Sequence, residues 1–165
     1  MRSRSGRLGL AAAVAVVAGL ALAGSAAMAH PFPGWSGTAG PFSWEAKRLS
    51  CGVAGEEPSR VRAHTRWRNS PANGFQRVTF TRQIRNESAD TWVTIQRQRH
   101  STRNKDLEGT SEVLHWTQRF FTAPSEAGKR TRHIVLFEWL RDRTGADKRV
   151  AAKTKTFKPC IVAAG

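Results

Sequence analysis

The sequence predicts an all-β protein, a small antiparallel β-sandwich of about seven strands stapled by one disulfide. Three observations predict it. From Ser43 onward, apolar and polar residues alternate with the period of a strand, and helical spacing is absent. Clusters of Gly, Pro, Asn, Asp and Ser break that alternation at the short intervals of sandwich turns. Two cysteines, Cys51 and Cys160, stand near the two ends of the alternating region.

Residues 1–29 read as an export signal. Arg2, Arg4 and Arg7 form a positive n-region, residues 8–23 an unbroken run of apolar and small side chains, and Ala27-Met28-Ala29 a small-residue cleavage site. The run is short for a membrane span, which takes about 20 apolar residues, and glycines dilute it. No cysteine follows it to carry a lipid, and no Arg-Arg pair precedes it for twin-arginine export. Cleavage leaves residues 30–165 as a secreted, extracellular chain with no transmembrane segment.

In that compartment an even cysteine count favours a disulfide. Cys51–Cys160 is the one intramolecular bond available. It closes a loop of about 110 residues, which in the chain-entropy model contributes on the order of 4–5 kcal/mol.

Residues 30–42 (HPFPGWSGTAGPF) are too rich in Pro and Gly for extended regular structure and read as an N-terminal arm. The single domain, residues 43–165, follows. Residues 44–51 form its first strand. In residues 61–68, Val61, Ala63, Thr65 and Trp67 alternate with Arg62, His64, Arg66 and Arg68, a half-buried strand with one cationic face. Residues 69–74 turn the chain through Pro71 and Asn73-Gly74. Residues 75–85 place Val78, Phe80 and Ile84 on one face and Arg77, Thr79, Thr81, Gln83 and Arg85 on the other, with Arg82 interrupting the apolar row.

After a turn at 86–90, residues 91–99 form a strand whose polar continuation, to Arg103, reads as edge or loop. Beyond a loop at 104–111, residues 112–121 carry apolar side chains on both faces. Residues 130–141 hold the most apolar run of the exported chain, Ile134 to Leu140, and should be a central strand. A turn at 142–147 leads to the last strand, residues 149–158. The pattern is analogous to immunoglobulin and fibronectin-III sandwiches, in which first and last strands can lie side by side. That arrangement would bring Cys51 and Cys160 together.

The chain carries 27 Lys and Arg against 12 Asp and Glu, a net charge of +15. The signal holds three of the cations and no acid, so the exported chain stays strongly basic. Such a balance attracts anionic polymers of the cell envelope, and nucleic acid remains open as a partner. The alternative is compositional, arginine accumulating without a ligand. The candidate anion-binding residues are the cationic rows Arg62, Arg66 and Arg68, then Arg77 and Arg85, then Lys153 and Lys155, which would make one broad surface if they shared a sheet. Aromatics are not interleaved with these rows, which weakens single-strand nucleic-acid recognition.

Ile134, Leu136 and Leu140 alternate with Val135, Phe137 and Trp139, and one set alone can face the core. The first set is the candidate apolar partner face, unless Phe32, Trp35 and Phe42 of the arm cover it. Glu138 inside this run needs pairing or water: either it pairs with the displaced Arg82 across the sheet, or it faces solvent on the outward side.

No catalytic residue, cofactor site or metal site is expected. The histidines form no metal-ligand spacing, and there is no nucleophile elbow, P-loop or zinc-protease motif. The expected function is a secreted, non-enzymatic binding or structural domain. The alternatives are an extracellular, nuclease-like hydrolase with His64 or His115 as acid–base, and a protein-interaction module using the apolar face. The hydrolase requires a histidine within reach of a carboxylate or a second histidine. Sequence alone sets no oligomeric state.

Overall fold

The structure is a computed structural model describing residues 36–69, 71, 74–103, 113–141 and 149–165. The expected export signal, Phe32 and Trp35 of the expected arm, the expected loop at 104–111 and the expected turn at 142–147 lie outside the described residues. The strands are β1 (Gly37–Ala39), β2 (Phe42–Ser50), β3 (Ser59–Trp67), β4 (Phe75–Asn86), β5 (Thr91–Arg103), β6 (Val113–Phe120), β7 (Arg130–Leu140), β8 (Arg149–Thr156) and β9 (Cys160–Ile161). A 3-10 turn at Pro124–Glu126 joins β6 to β7. Among the described residues no helix is long and apolar enough to cross a membrane.

The strands pair antiparallel in two sheets. One has the order β1-β2-β3-β6; the other runs β5-β4-β7-β8, with β9 added beside β7. Seven long strands match the sequence pattern. The two short ones escaped it, β9 because two residues show no period and β1 because it lies in the Pro/Gly-rich arm. Gly37–Ala39 fold back on β2 through Gly40-Pro41, placing Gly37 opposite Trp44. The polar second half of β5 is strand throughout and lies at the sheet edge.

Side-chain alternation builds one core between the sheets, as in a β-sandwich. Phe42, Ala46, Val61, Ala63, Trp67 and Phe120 meet Val78, Phe80, Val135, Phe137 and Trp139. Burial of each large member contributes about 1.5–3 kcal/mol. Strand β7 is interior, between β4 and β8. Its Val135, Phe137 and Trp139 face the core, which turns Ile134 and Leu136 outward. Phe42 covers no outer face. Its ring lies 5.4 Å from that of Trp67 and 5.0 Å from that of Trp139, inside the core.

The Cys51–Cys160 bond joins residues 109 apart in sequence with Cα atoms 6.3 Å apart. It is reached by a different route from side-by-side terminal strands, because β2 and β8 lie in different sheets. Cys51 follows β2, whereas Cys160 sits on β9 opposite Thr131 of β7. The bond therefore ties one sheet to the other at one end of the molecule. Gly52 makes this corner possible. Its φ is +86°, and a Cβ there would sit 2.8 Å from the Glu57 carbonyl oxygen and the Ser59 nitrogen.

Arg82 is fully buried at this same end. It donates to the Phe121 carbonyl at 2.8 Å and to the Glu126 carboxylate at 2.6 Å. The expected Arg82–Glu138 pair does not form, because the two residues occupy opposite faces of the sheet. Arg82 stands opposite His133 on the inner side and Glu138 opposite Arg77 on the outer. His133 contacts the Ser59 hydroxyl at 3.0 Å. Burial first, then the charges of Arg82 and Arg48, push its pKa down to about 3, so its imidazole is neutral.

Candidate anion-binding faces

Register decides which cations share a surface. Outside the five-stranded sheet, Arg77, Thr79, Thr81 and Gln83 of β4 stand opposite Glu138, Leu136, Ile134 and Arg132 of β7. On the β8 side, Thr154 is opposite Leu136 and Thr156 opposite Ile134. On the β5 side, Arg99 is opposite Thr79 and Arg97 opposite Thr81.

That last pairing depends on a bulge. Gln83 pairs with Thr94 but Arg82 with Gln96, so Ile95 is the extra residue. One extra residue flips the parity of a strand. It puts Arg97 and Arg99 on the same face as Trp92 and Thr94.

These rows enclose a groove of about 380 Å³, lined by Arg77, Arg97, Arg99 and Arg149, the threonines 79, 81 and 154, Ile134, Leu136 and Glu138. Glu138 is 4% exposed and holds two guanidiniums, Arg149 at 2.8 Å and Arg77 at 3.6 Å. The carboxylate fixes both arginines at one end of the groove. At the other, Arg132 donates to Gln83 at 2.7 Å and stacks on Trp92, 4.3 Å from the ring centroid. Arg85 lies over the same indole and pairs with Asp90. Guanidiniums held by such contacts are preorganised for bidentate capture of phosphate or carboxylate.

The remaining predicted cations lie elsewhere. Arg62 and Arg66 belong to the outer face of the four-stranded sheet, and Arg68 is exposed just after β3. Lys153 and Lys155 stand opposite the core residues Phe137 and Val135. Their ammonium groups lie 5.5 Å from the Trp44 ring and 6.0 Å from the Phe157 ring, so they cover the open side of the core. The cationic rows thus do not form one surface. They divide between two opposed sheet faces and an edge. Leu140, the third residue of the predicted apolar face, is 2% exposed, whereas Ile134 and Leu136 are half-buried on the groove floor.

Sequence reasoning missed Arg97, Arg99, Arg132 and Arg149. Two arginines at strand spacing, Arg97 and Arg99, were the available signal. The bulge that assigns their face has no signal in a single sequence.

The four-stranded sheet carries a second constellation. Glu45, His64 and His115, from β2, β3 and β6, stand directly opposite one another in one cross-strand row. His64 Nδ1 is 3.5 Å from Glu45 Oε2, and the two imidazoles meet edge to face with centroids 4.6 Å apart. Burial raises the Glu45 carboxyl above its ordinary value, with the Lys47 charge acting in the opposite direction. Adjacent rows contain Lys47 with Arg62, and Ser43 with Arg66. Of the other histidines in the described residues, His100 contacts Gln118 at 3.0 Å and His133 is in the core. Among the described residues no group of three or more His, Cys, Asp or Glu side chains is arranged to hold a metal ion.

No protein-family model matches the chain, and a search of curated proteins finds no match to it.

Proposed function

We propose that the protein is exported and acts as a non-enzymatic binding domain for an anionic polymer of the cell envelope, seated on the outer face of the five-stranded sheet. The observation that carries this reading is the groove framed by Arg77, Arg97, Arg99 and Arg149. A solvated face needs no such convergence, and ligand sites typically combine a concave floor with a few placed polar groups. In this reading Ile134 and Leu136 serve the groove and form no separate docking face. The strand order supports a fibronectin-III-like assignment, since the fourth long strand, β5, pairs with the third, β4. In constant-type immunoglobulin domains it joins the other sheet.

The test is retention of the disulfide-bonded protein on immobilised polyanions across a salt series, beside an unrelated protein of equal charge. Phosphate-type contacts give a steep loss of binding with salt. Retention selective for one polymer and beyond the control is expected. Retention equal to the control for every polymer would mean that the charge is compositional.

A second reading is favoured by the Glu45–His64–His115 row, which gathers a carboxylate and two imidazoles beside cations, with His64 Nδ1 3.5 Å from Glu45 Oε2. It is hydrolysis of a phosphodiester on the four-stranded sheet. RNA cleavage lost on His115→Ala would support it. An RNA substrate left intact from pH 5 to 8 would remove it.

A further inference from the structure

We propose that the occupant of the five-stranded-sheet groove is a hydroxyl-rich chain with its acidic groups at the periphery, the chemistry of polysaccharides that carry carboxylate or phosphate substituents. This rests on the reading that this face binds an anion, and it names what kind.

The floor of the groove is neutral. Thr79, Leu136 and Thr154 form one row across three strands, and Thr81 with Ile134 begins the next. The cations stand at the margins: Arg99 and Arg97 end those two rows on the edge strand β5, and the Arg77–Glu138–Arg149 cluster lies toward one end. A ligand with its charge along the centre line would set anions over aliphatic carbons and hydroxyls. A ligand with a neutral, hydroxylated body and acidic groups at its edges matches both floor and frame.

Thr79 supplies an independent observation. It lines the groove and is 7% exposed, and its hydroxyl is buried with no hydrogen-bond partner among the described residues. Buried hydroxyls are normally paired. A turn about χ1 lets this one meet a ligand hydroxyl on the floor, giving the group the partner it lacks. The face offers little for base stacking, because its indole, Trp92, is already covered by Arg132 at 4.3 Å. Single-strand nucleic-acid readers need open aromatic faces among their cations.

The experiment measures affinity of the disulfide-bonded protein for a polysaccharide with phosphate substituents, a uronic-acid polysaccharide, single-stranded RNA and duplex DNA at one salt concentration. Each is measured again with Thr79→Val. The expected result is tighter binding to one or both hydroxyl-rich polymers than to either nucleic acid. Thr79→Val should weaken that binding about fivefold, the worth of one hydrogen bond, without lowering the melting temperature. The phosphate and uronate arms identify which acidic group is taken. Tighter binding of RNA or DNA overturns the proposed occupant while leaving the anion-binding reading intact. An unchanged affinity in Thr79→Val overturns it as well. Failure of all four polymers to bind beyond a charge-matched control overturns the anion-binding reading itself.

Discussion

His133 shows how a single buried side chain links sequence to pH response. Its pKa is about 3 in the fold against an ordinary 6.5. Between those values the unfolded chain holds a proton that the folded chain does not. Stability from this residue is therefore full above pH 6.5 and declines as pH falls toward 3. From neutral pH to about pH 4.5 the loss is roughly 2–3 kcal/mol. Urea denaturation across that range should show it, and His133→Gln should flatten the dependence; an unchanged slope in the variant would contradict the assignment. Glu138 is the second informative residue. Its carboxylate competes with any bound anion for Arg77 and Arg149. Glu138→Gln should strengthen polyanion binding severalfold while costing about 1 kcal/mol of stability, since Arg149 is half-exposed and its pairing is partly screened. Weaker binding in this variant would mean that Glu138 organises the frame more than it competes.

At the scale of elements, the disulfide and the β5 bulge carry the account. Replacing Cys51 and Cys160 together by alanine should cost about 2–5 kcal/mol, read as a lowered denaturation midpoint. A loss near zero would mean that the β7–β9 pairing already holds the two sheets together. The cysteine pairing was legible in the sequence because two cysteines leave one intramolecular bond. The long strands were legible because period-two alternation directly records a two-faced sheet. Trp67 and Phe80 were placed by it, as the core shows. Sheet membership was not legible. Nothing local says that β3 pairs with β6 while β4 pairs with β7, and the cationic rows therefore seemed able to share one surface. The Arg82–Glu138 expectation failed for a related reason. Both residues break apolar rows, but β7 is apolar on both faces, so the inner face could not be chosen from the sequence. Glu45 was passed over as a residue of the first strand; its partners His64 and His115 lie in two other strands and are joined to it by register alone.

At the scale of the whole molecule, a chain of net charge +15 presents two opposed basic faces. Net charge alone would attract any polyanion to both. Binding is assigned to one of them, because four of its arginines frame a groove and two of these, Arg77 and Arg149, are held by Glu138. The most direct test removes equal charge from each face in turn. Arg97→Gln with Arg99→Gln strips the five-stranded sheet; Lys47→Gln with Arg62→Gln strips the four-stranded one. Affinity for the preferred polymer is measured across a salt series for both. Binding on the five-stranded sheet predicts a loss of at least tenfold and a shallower salt dependence for the first pair, and a change within about twofold for the second. Equal losses from the two pairs would contradict it, showing that the polymer responds to total charge and to no particular face.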